Sequence, residues 1–367
     1  MKTPEEERAE RLKAAKFLEE KAPLIDRAIE KYIPRKITEE SIIFKIIPPM
    51  YSCNAETLNK AIAEPIWEIL DRGGKRWRPA LFLLICEILG RNSDDYLDFA
   101  IIPEVVHNGT LIIDDLEDSS ELRRGKPCSY RLFGVDIAVN AGNAMYFLPL
   151  LPLMEKKAHL SPETLRDVYE AYVQEMINLS MGQAMDIAWH KGIANADVLD
   201  ERDYLQMCAY KTGTLARMAA KLAAVLSGAN NDLVEKLGRF AESIGVAFQM
   251  QDDVLDLTGK EFSAKKGGVG QDITEGKRTL MVIHTLKKAN NTDKERLIQI
   301  LKMHTSDQEL RDEAIAIMQK YKSIEYVKET SARLVEATLG EAGKLLPTRQ
   351  AEEKLKEFAE FLIKRNI

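Results

Sequence analysis

The sequence predicts an all-α protein, because of its hydrophobic spacing, its lack of strand signals and its helix-ending glycines. Apolar residues recur at spacings of three and four along most of the chain, notably before Asp114 and before Asp252. Runs of alternating β-branched residues are few, and no Asn-Gly or Asp-Gly pair links two of them. Gly90 and Gly259 directly follow apolar helical stretches, as helix C-termini favour. We therefore expect one large helical bundle.

The length and charge of the chain limit its organisation and its partners. Its 367 residues are 45% hydrophobic, which is enough for a sizeable core. No Pro-rich, Gly-rich or low-complexity linker divides the chain, so we predict an N-terminal helical extension over residues 1–50 and a single domain over residues 51–367. The 52 basic and 58 acidic residues give a net charge of −6. This balance argues against a nucleic-acid-binding surface.

The cysteines and the apolar stretches bear on the cellular compartment. The four cysteines are scattered without a CxxC pair, which fits neither a disulfide framework nor a zinc site and suits a reducing cytoplasm. The N-terminus is charged throughout, unlike a signal peptide. The longest apolar stretch, residues 144–154, is too short to span a bilayer and contains two prolines. We predict no transmembrane segment and a cytoplasmic location.

Two acidic clusters with the pattern DDxxD carry the strongest chemical signal. They occupy residues 114–118 and 252–256, and each follows an apolar helical turn. Residues i and i+4 lie on one helix face, so Asp114 is stacked with Asp118 and Asp252 with Asp256. Stacked carboxylates repel each other unless a cation lies between them, and oxygen ligands select a hard ion such as Mg²⁺. One such cluster is most often a solvated helix end, but a pair favours two helices that present carboxylates to one cavity.

Basic residues accompany both acidic clusters. Glycines in the segment from Gly73 to Pro79 let the backbone approach an anion, and further cations occur at residues 123–126, 211, 266 and 277–278. Each basic group alone is more often a solvated surface. Together with the acidic pair they indicate a site for two polyanions, one held through metal and one held by cations. His107 lies two helical turns before Asp114, on the same face, which favours substrate contact over simple packing.

These motifs, in this order, resemble those of the trans-isoprenyl diphosphate synthases, the polyprenyl synthetase family. The matching segments are GGKRWRP, HNGTLIIDDLEDSSELRRGKP, GQAMDIAWH, YKTGTL, FQMQDDVLDL and GKRT, and they extend from Gly73 to Thr279. The amino-acid sequence around the first acidic cluster most resembles that of eukaryote-type geranylgeranyl diphosphate synthases. The resemblance implies an isoprenoid-synthase-type helical bundle with a central apolar cavity, and a catalytic domain over residues 51–367.

The resemblance also implies a role for each matching residue. Three Mg²⁺ ions per active site, with substrate bound, would be held by Asp114, Asp118, Asp252 and Asp256. The isopentenyl diphosphate would be bound by Lys75, Arg78, His107 and Arg124. The allylic diphosphate would be contacted by Arg123, Lys211, Thr212, Gln249, Lys266 and Lys277. The residues expected to be catalytic are Asp114, Asp118, Asp252 and Lys211.

The implied reaction is a Mg²⁺-dependent head-to-tail (1′-4) condensation of isopentenyl diphosphate with an allylic diphosphate, giving a trans-polyprenyl diphosphate. In this family the side chains just upstream of the first acidic cluster form the floor of the product tunnel. Those positions here are Thr110 and Gly109, which are small. We therefore predict a product of at least twenty carbons, with geranylgeranyl diphosphate favoured. The family and the large apolar helices predict a homodimer, and a peripheral membrane contact for product release stays open.

Four alternatives remain at the level of sequence. A longer-chain polyprenyl diphosphate synthase shares every motif. A class I terpene cyclase needs no second diphosphate pocket, so Lys75, Arg78 and Arg124 count against it. A non-catalytic subunit of a heteromeric synthase tends to lose one acidic cluster, and both are intact here. A helical scaffold protein would require the ordered motif set to be a coincidence.

Overall fold

A computed structural model describes residues 4–259 and 269–363 and confirms the all-α prediction. The chain divides into two compact units. The first contains Met1–Val173, Leu215–Gly238 and Ala342–Phe361, and the second contains Gln174–Thr214, Arg239–Glu341 and Leu362–Ile367. The domain boundary at residue 50 stays a prediction.

The described helices are numbered in chain order. They are α1 Pro4–Tyr32, α2 Ile42–Ile46, α3 Ala55–Leu58, α4 Glu64–Asp71, α5 Trp77–Ile88, α6 Leu97–Glu117, α7 Ser129–Phe133, α8 Val135–Phe147, α9 Leu151–Lys156, α10 Pro162–His190, α11 Glu201–Cys208, α12 Thr214–Leu226, α13 Asn231–Thr258, α14 Gln271–Thr274, α15 Leu280–Lys288, α16 Asn291–Lys302, α17 Gln308–Lys320, α18 Ser323–Gly343 and α19 Arg349–Ile363. Single π-helical turns occupy Asn59–Ala63 and Ala209–Gly213, and short 3₁₀ turns occupy Ser93–Tyr96, Leu148–Leu150, Lys157–His159 and Ala196–Val198.

The first unit is built around α6, which packs against α1, α5 and α8. Nearly every side chain from Phe99 to Val106 is fully buried, which explains why this stretch of α6 is apolar on all faces. Helix α5 is buried along almost its whole length, and Gly90 follows its end with a φ of +79°, as the sequence predicts. The buried stretch of α6 leads directly into the first acidic cluster.

The first unit also contains a hairpin that sequence reasoning did not find. Its strands, β1 Leu122–Arg123 and β2 Lys126–Pro127, pair antiparallel. The two turn residues Arg124 and Gly125 both have positive φ, +53° and +77°. Two positive φ values are what a two-residue type I′ hairpin requires. The turn uses Arg-Gly where Asn-Gly is the usual signal, and so the strand search missed it.

The second unit has its own apolar core, formed by one face of α13 together with residues of α11, α15, α16, α17 and α18. Val246, Met250, Val254 and Leu257 lie on that face of α13 at spacings of three and four and are all buried. This packing fixes the rotation of α13 about its axis. It therefore decides which carboxylates of the second acidic cluster point into the unit.

One helical stretch, Val135–His159, is long and apolar enough to pass a length-and-composition test for a membrane span. It exceeds the residues 144–154 that sequence inspection singled out. In the structure it consists of α8, α9 and two 3₁₀ turns, with Pro149 and Pro152 each near the start of a new helical segment. A core helix of a protein without any span passes the same test, so this stretch is weak evidence for one.

Candidate active site

The first acidic cluster lies at the C-terminal end of α6. The helix ends at Glu117, and the Asp118 N–H still donates to the Asp114 carbonyl at 2.9 Å, so both residues belong to one helical turn. The C-terminal end of a helix carries partial negative charge, which makes it an unfavourable place for several carboxylates. The cluster therefore needs cations close by.

One of those cations is Arg123, on the hairpin that follows α6. Its Nε and Nη2 both donate to Asp115 Oδ1, at 2.8 and 2.5 Å, and Nη2 lies 3.7 Å from Asp114 Oδ2. Asp115 is only 1% exposed. Burial raises the pKa of its carboxyl, although the charge and hydrogen bonds of Arg123 oppose that rise. Arg123 thus lies against the acidic cluster, at the place where the sequence predicts an allylic diphosphate.

The hairpin also meets the glycine-rich loop that precedes α5. Arg124 Nη1 donates a short hydrogen bond to the carbonyl oxygen of Gly73. Arg72 donates to the carbonyl oxygens of Arg123 and Pro127, at 2.9 and 2.6 Å, and its side chain is also paired with Glu68. These bonds fix the hairpin on the loop. They bring two basic segments together that are about fifty residues apart in the sequence.

Part of the predicted isopentenyl diphosphate set converges in the first unit. The pKa of His107 is held well below its usual 6.5, first by burial and then by the charges of Arg78 and Arg124. The charges of both guanidinium groups thus disfavour the protonated form of His107. Arg78 also lies over the ring of Trp77, with its guanidinium carbon 4.5 Å from the ring centroid. Lys75 is exposed on the same loop.

Arg76 has a role that sequence reasoning missed. It has a left-handed backbone (φ +50°), and its buried guanidinium pairs with Glu104 at 2.9 Å and with Asp26 at 2.8 Å. Glu104 is also bonded to the side-chain amide of Asn108 on the next turn of α6. Arg76 therefore ties the glycine-rich loop to α1 and α6. The available signal was Glu104, a single acidic residue in the apolar run AIIPEVV.

The second acidic cluster lies near the C-terminal end of α13, and its three aspartates differ in environment. Asp252 is partly exposed, Asp253 is 5% exposed and Asp256 is fully buried. Asp256 Oδ2 accepts from the backbone N–H of Asp272 at 3.1 Å, and the Asp256 carbonyl accepts from Gly270 N–H at 3.0 Å. Asp256 therefore holds the backbone at Gly270 and Asp272 in place.

Asp253 is embedded among neutral hydrogen-bond donors. The Tyr204 hydroxyl donates to its Oδ2 at 2.7 Å and the Gln249 amide nitrogen donates to its Oδ1 at 2.8 Å. Burial and the charge of Asp272 raise the pKa of the Asp253 carboxyl to about 7, and the two hydrogen bonds oppose that rise. Asp253 thus accepts hydrogen bonds from two neutral groups, whereas Asp115 accepts them from the cation Arg123.

A π-helical turn presents Lys211 and Thr212 in the second unit. Lys211 Nζ donates to Asp186 Oδ2 at 2.6 Å, and the Thr212 hydroxyl donates to Gln249 Oε1 at 3.1 Å. Two glycines let this turn approach its neighbours: a Cβ on Gly182 would lie 2.3 Å from the Lys211 nitrogen, and one on Gly245 would lie 2.7 Å from the Gly213 Cα. Single π turns within helices often occur at functional sites. The sequence motif GQAMDIAWH predicted no role for Asp186, and the structure shows that its carboxylate pairs with Lys211.

The remaining predicted residues divide into described and undescribed ones. Lys277 pairs closely with Glu275, and its Nζ lies 3.8 Å from Asp272 Oδ1. Its neighbour Arg278 forms an ion pair with Asp197 at 2.7 Å. Lys266 lies outside the described residues.

The two predicted chain-length positions behave differently. Gly109 is buried where α6 and α8 touch: a Cβ there would lie 2.8 Å from Met145 Cβ and 2.9 Å from the Gly142 carbonyl oxygen. A large side chain at 109 would therefore force the two helices apart. Thr110 is half-buried, and its hydroxyl donates to the His107 carbonyl at 2.7 Å. Thr110 is consequently the cleaner position at which to test the tunnel-floor hypothesis.

The donor set fits Mg²⁺ bound together with a substrate. Within the described ranges, no three His, Cys, Asp or Glu side chains are arranged to hold a metal ion by themselves. Mg²⁺ typically takes only one or two carboxylates and completes its shell with substrate phosphates and water. In the first unit Asp114 and Asp118 are partly exposed carboxylates at the negative end of α6, and in the second unit Asp252 is a partly exposed carboxylate near the negative end of α13, so each cluster has oxygen atoms of the kind that Mg²⁺ takes.

Comparisons with known proteins identify the family of this chain. The polyprenyl synthetase family profile matches residues 59–318. The short chain isoprenyl diphosphate synthase of Methanothermobacter thermautotrophicus is 33% identical over 297 residues, covering 81% of this chain and 88% of that protein. The geranylgeranyl diphosphate synthase of Saccharolobus solfataricus is 30% identical over 307 residues, covering 83% of this chain and 91% of that protein.

A solved structure extends the comparison to the fold. The geranylgeranyl pyrophosphate synthetase of Pyrococcus horikoshii matches with a TM-score of 0.81 at 30% identity, covering 96% of this chain and 99% of that one. The described helices of this chain therefore follow the isoprenoid synthase fold. This chain belongs to the polyprenyl synthetase family, the trans-isoprenyl diphosphate synthases, and is a prenyltransferase.

Proposed function

We propose that this protein condenses isopentenyl diphosphate with an allylic diphosphate, head to tail, and releases geranylgeranyl diphosphate as its main product. The observation that carries the proposal is the pair of acidic clusters, each at the negative end of a long helix and each accompanied by a basic or polar shell. Residues 51–367 form the catalytic domain in this proposal.

In the proposed reaction, Asp114, Asp118 and Asp252 would hold the allylic diphosphate through Mg²⁺, and Asp256 would support the second cluster from inside. Bound Mg²⁺ would draw negative charge onto the leaving diphosphate and so favour cleavage of the allylic C–O bond. Arg123, Lys211 and Lys277 add positive charge around the leaving group. Lys266 is proposed for the same role on the strength of the motif alone.

The second substrate is proposed to bind in the first unit. Lys75, Arg78 and Arg124 would bind the diphosphate of isopentenyl diphosphate, and neutral His107 would donate one hydrogen bond to it. The double bond of this substrate attacks the allylic cation, forming the new C–C bond. A proton then leaves the adjacent carbon, and the departed diphosphate is the proposed acceptor. Thr212 and Gln249 contact the allylic substrate, and the apolar surroundings exclude water from the cation.

Product length is proposed to be at least twenty carbons. No aromatic side chain occupies Thr110 or Gly109, the positions one turn before Asp114. Tyr146 on α8 lies beside Gly109, since a Cβ there would be 3.2 Å from its ring. Tyr146 is thus a candidate for the side chain that ends product growth. Phe147 is a poorer candidate, because it is 69% exposed.

A homodimer is also proposed. Helix α10 carries Ile177, Met181 and Ala184 at spacings of four and three, all exposed, and the first two are 49% and 55% accessible. An apolar helical stripe of this kind favours burial against another protein surface. We place the protein in the cytoplasm, with release of an amphiphilic product to a membrane as an added step.

Product analysis tests the proposal directly. Purified protein is incubated with Mg²⁺, labelled isopentenyl diphosphate and, in turn, dimethylallyl, geranyl, farnesyl and geranylgeranyl diphosphate, with EDTA as the control. We expect metal-dependent elongation that stops at twenty carbons. Growth beyond twenty carbons would replace the proposed product by a longer polyprenyl diphosphate. No incorporation from any starter by folded protein would overturn the proposed condensation in favour of a cyclase or a partner subunit.

A further inference from the structure

A continuous chain of hydrogen bonds, buried at Tyr204 and partly buried at Thr212, joins these two residues in the second unit. The Tyr204 hydroxyl and the Gln249 amide nitrogen both donate to Asp253, at 2.7 and 2.8 Å. The other end of the amide, Gln249 Oε1, accepts from the Thr212 hydroxyl at 3.1 Å. The chain therefore connects α11, α13 and the π turn Ala209–Gly213.

The polarity of this chain fixes the orientation of the Gln249 amide. Both oxygens of Asp253 accept hydrogen bonds, Oδ1 from the Gln249 amide nitrogen and Oδ2 from the Tyr204 hydroxyl, so the amide oxygen of Gln249 faces Thr212. The reversed amide would place two acceptor oxygens against each other at Asp253. Without the carboxylate, either amide orientation would be available to Gln249.

The side chains of Tyr204 and Asp253 are almost fully buried. Tyr204 is 1% exposed and Asp253 is 5% exposed, whereas Gln249 and Thr212 are half-buried. Any influence of the first two on a substrate must pass through the second two. The DDxxD pattern alone assigns Asp253 no separate part from Asp252, and no motif includes Tyr204.

We propose that Tyr204 and Asp253 are positioning residues that hold the Gln249 amide and the Thr212 hydroxyl in one orientation toward the allylic substrate. Asp253 is thereby separated from the metal ligands of its own cluster. Tyr204 anchors the carboxylate from the opposite side to Gln249, so that the carboxylate cannot rotate away. The inference rests on the proposed function, because it assigns Gln249 and Thr212 to the allylic subsite.

The decisive variant is Tyr204→Phe, which removes one hydroxyl and keeps the ring packing. The matched control is Tyr321→Phe, since the Tyr321 hydroxyl also donates to an aspartate, Asp293 Oδ2 at 2.6 Å, away from both acidic clusters in the sequence. Each variant is assayed in the full-length protein with either substrate varied, and the Mg²⁺ concentration giving half-maximal rate is measured. Circular dichroism verifies folding.

We expect Tyr204→Phe to lower kcat/KM for the allylic diphosphate about tenfold, because the hydrogen bond that holds the Asp253 carboxyl, and through it the Gln249 amide, is lost. The KM for isopentenyl diphosphate and the half-saturating Mg²⁺ concentration should stay within about twofold, and Tyr321→Phe should match the wild type. Tyr204 and Asp253 act through one amide. The double variant Tyr204→Phe, Asp253→Asn should therefore have a kcat/KM for the allylic diphosphate no lower than that of the less active single variant.

Three results would overturn the inference. The first is a Tyr204→Phe variant with unchanged allylic kcat/KM. The second is a shifted Mg²⁺ requirement in that variant, which would return Asp253 to the metal ligands. The third is an equal loss for both substrates with a lowered Tm, which would reduce Tyr204 to a packing role. A wild type that elongates no starter would instead overturn the proposed function, so the two failures are distinguishable.

Discussion

The two acidic clusters have the same DDxxD pattern, but their central aspartates are held in different ways. Asp115 accepts hydrogen bonds from the cation Arg123, whereas Asp253 accepts them from the neutral side chains of Tyr204 and Gln249. The last residues differ as well: Asp118 caps the end of α6 and is partly exposed, while Asp256 is buried and holds the Asp272 backbone. One sequence pattern thus supports a charge-paired cluster in the first unit and a hydrogen-bonded cluster in the second.

The largest expected effect concerns the first residues of the two clusters, Asp114 and Asp252, which we predict to be equally important for the rate. We expect Asp114→Asn and Asp252→Asn each to lower kcat by about 10²–10³, because each removes an oxygen that helps to stabilise charge on the leaving diphosphate. Steady-state assays over a range of Mg²⁺ concentrations test this, with Asp232→Asn on the exposed start of α13 as the control. Loss in only one variant would show that a single cluster carries the reaction.

The difference between the central aspartates predicts unequal losses of stability. Arg123→Met leaves the carboxylate of Asp115 buried beside an apolar group, and we expect the free energy of unfolding to fall by about 3 kcal/mol. Tyr204→Phe removes one neutral donor and should lower it by about 1 kcal/mol. Urea unfolding without Mg²⁺ measures both changes. Equal losses would contradict the distinction between charge pairing and neutral hydrogen bonding.

The last aspartates should differ in the same type of measurement. Asp256→Ala leaves the partly buried Asp272 N–H without its acceptor and empties a fully buried site, so we expect the free energy of unfolding to fall by about 2 kcal/mol. Asp118→Ala removes a carboxylate from the negative end of α6 and should change stability by less than about 0.5 kcal/mol. A larger loss from Asp118→Ala would mean that the first cluster is also structural.

The cationic surroundings of the first cluster predict a pH effect on stability. The folded-state pKa of His107 lies below 6.5, first through burial and then through Arg78 and Arg124. As pH falls, His107 is therefore protonated in the unfolded chain before it is protonated in the folded one. The free energy of unfolding thus decreases below pH 6.5, by at most about 1.4 kcal/mol per pH unit. Unfolding between pH 7.5 and 5.5 should show a shallower slope for His107→Gln, with the exposed His159→Gln as the control. An unchanged slope in His107→Gln would refute this assignment.

The smallest expected effect on rate concerns product length. We expect Thr110→Phe to shorten the main product by one or more five-carbon units and to change kcat only a few-fold, because the ring would enter the space below the first cluster. The control is Thr110→Val, which keeps the size of the side chain and removes the hydroxyl. Radiochromatography of the dephosphorylated products gives the answer, and an unchanged product from Thr110→Phe would rule out the tunnel-floor hypothesis at this position.

The sequence was informative wherever the signal is local. Helical periodicity predicted the all-α fold, and the comparisons confirmed the family that the ordered motifs suggested. The residue roles in catalysis and metal binding stay predictions. The hairpin was missed because its Arg124-Gly125 turn lacks the usual asparagine or aspartate, and positive φ leaves little other trace in the sequence.

The helical fold, the positions of the acidic and basic clusters and the family can all be read from the sequence, because i to i+4 spacing and motif order are properties of the chain alone. Three contacts could not be read from it: Arg76 pairs with Glu104, Tyr204 donates to Asp253, and Met145 leaves no room for a side chain at Gly109. These contacts join residues 28 to 49 positions apart, and they depend on how each helix is rotated when its apolar face is buried.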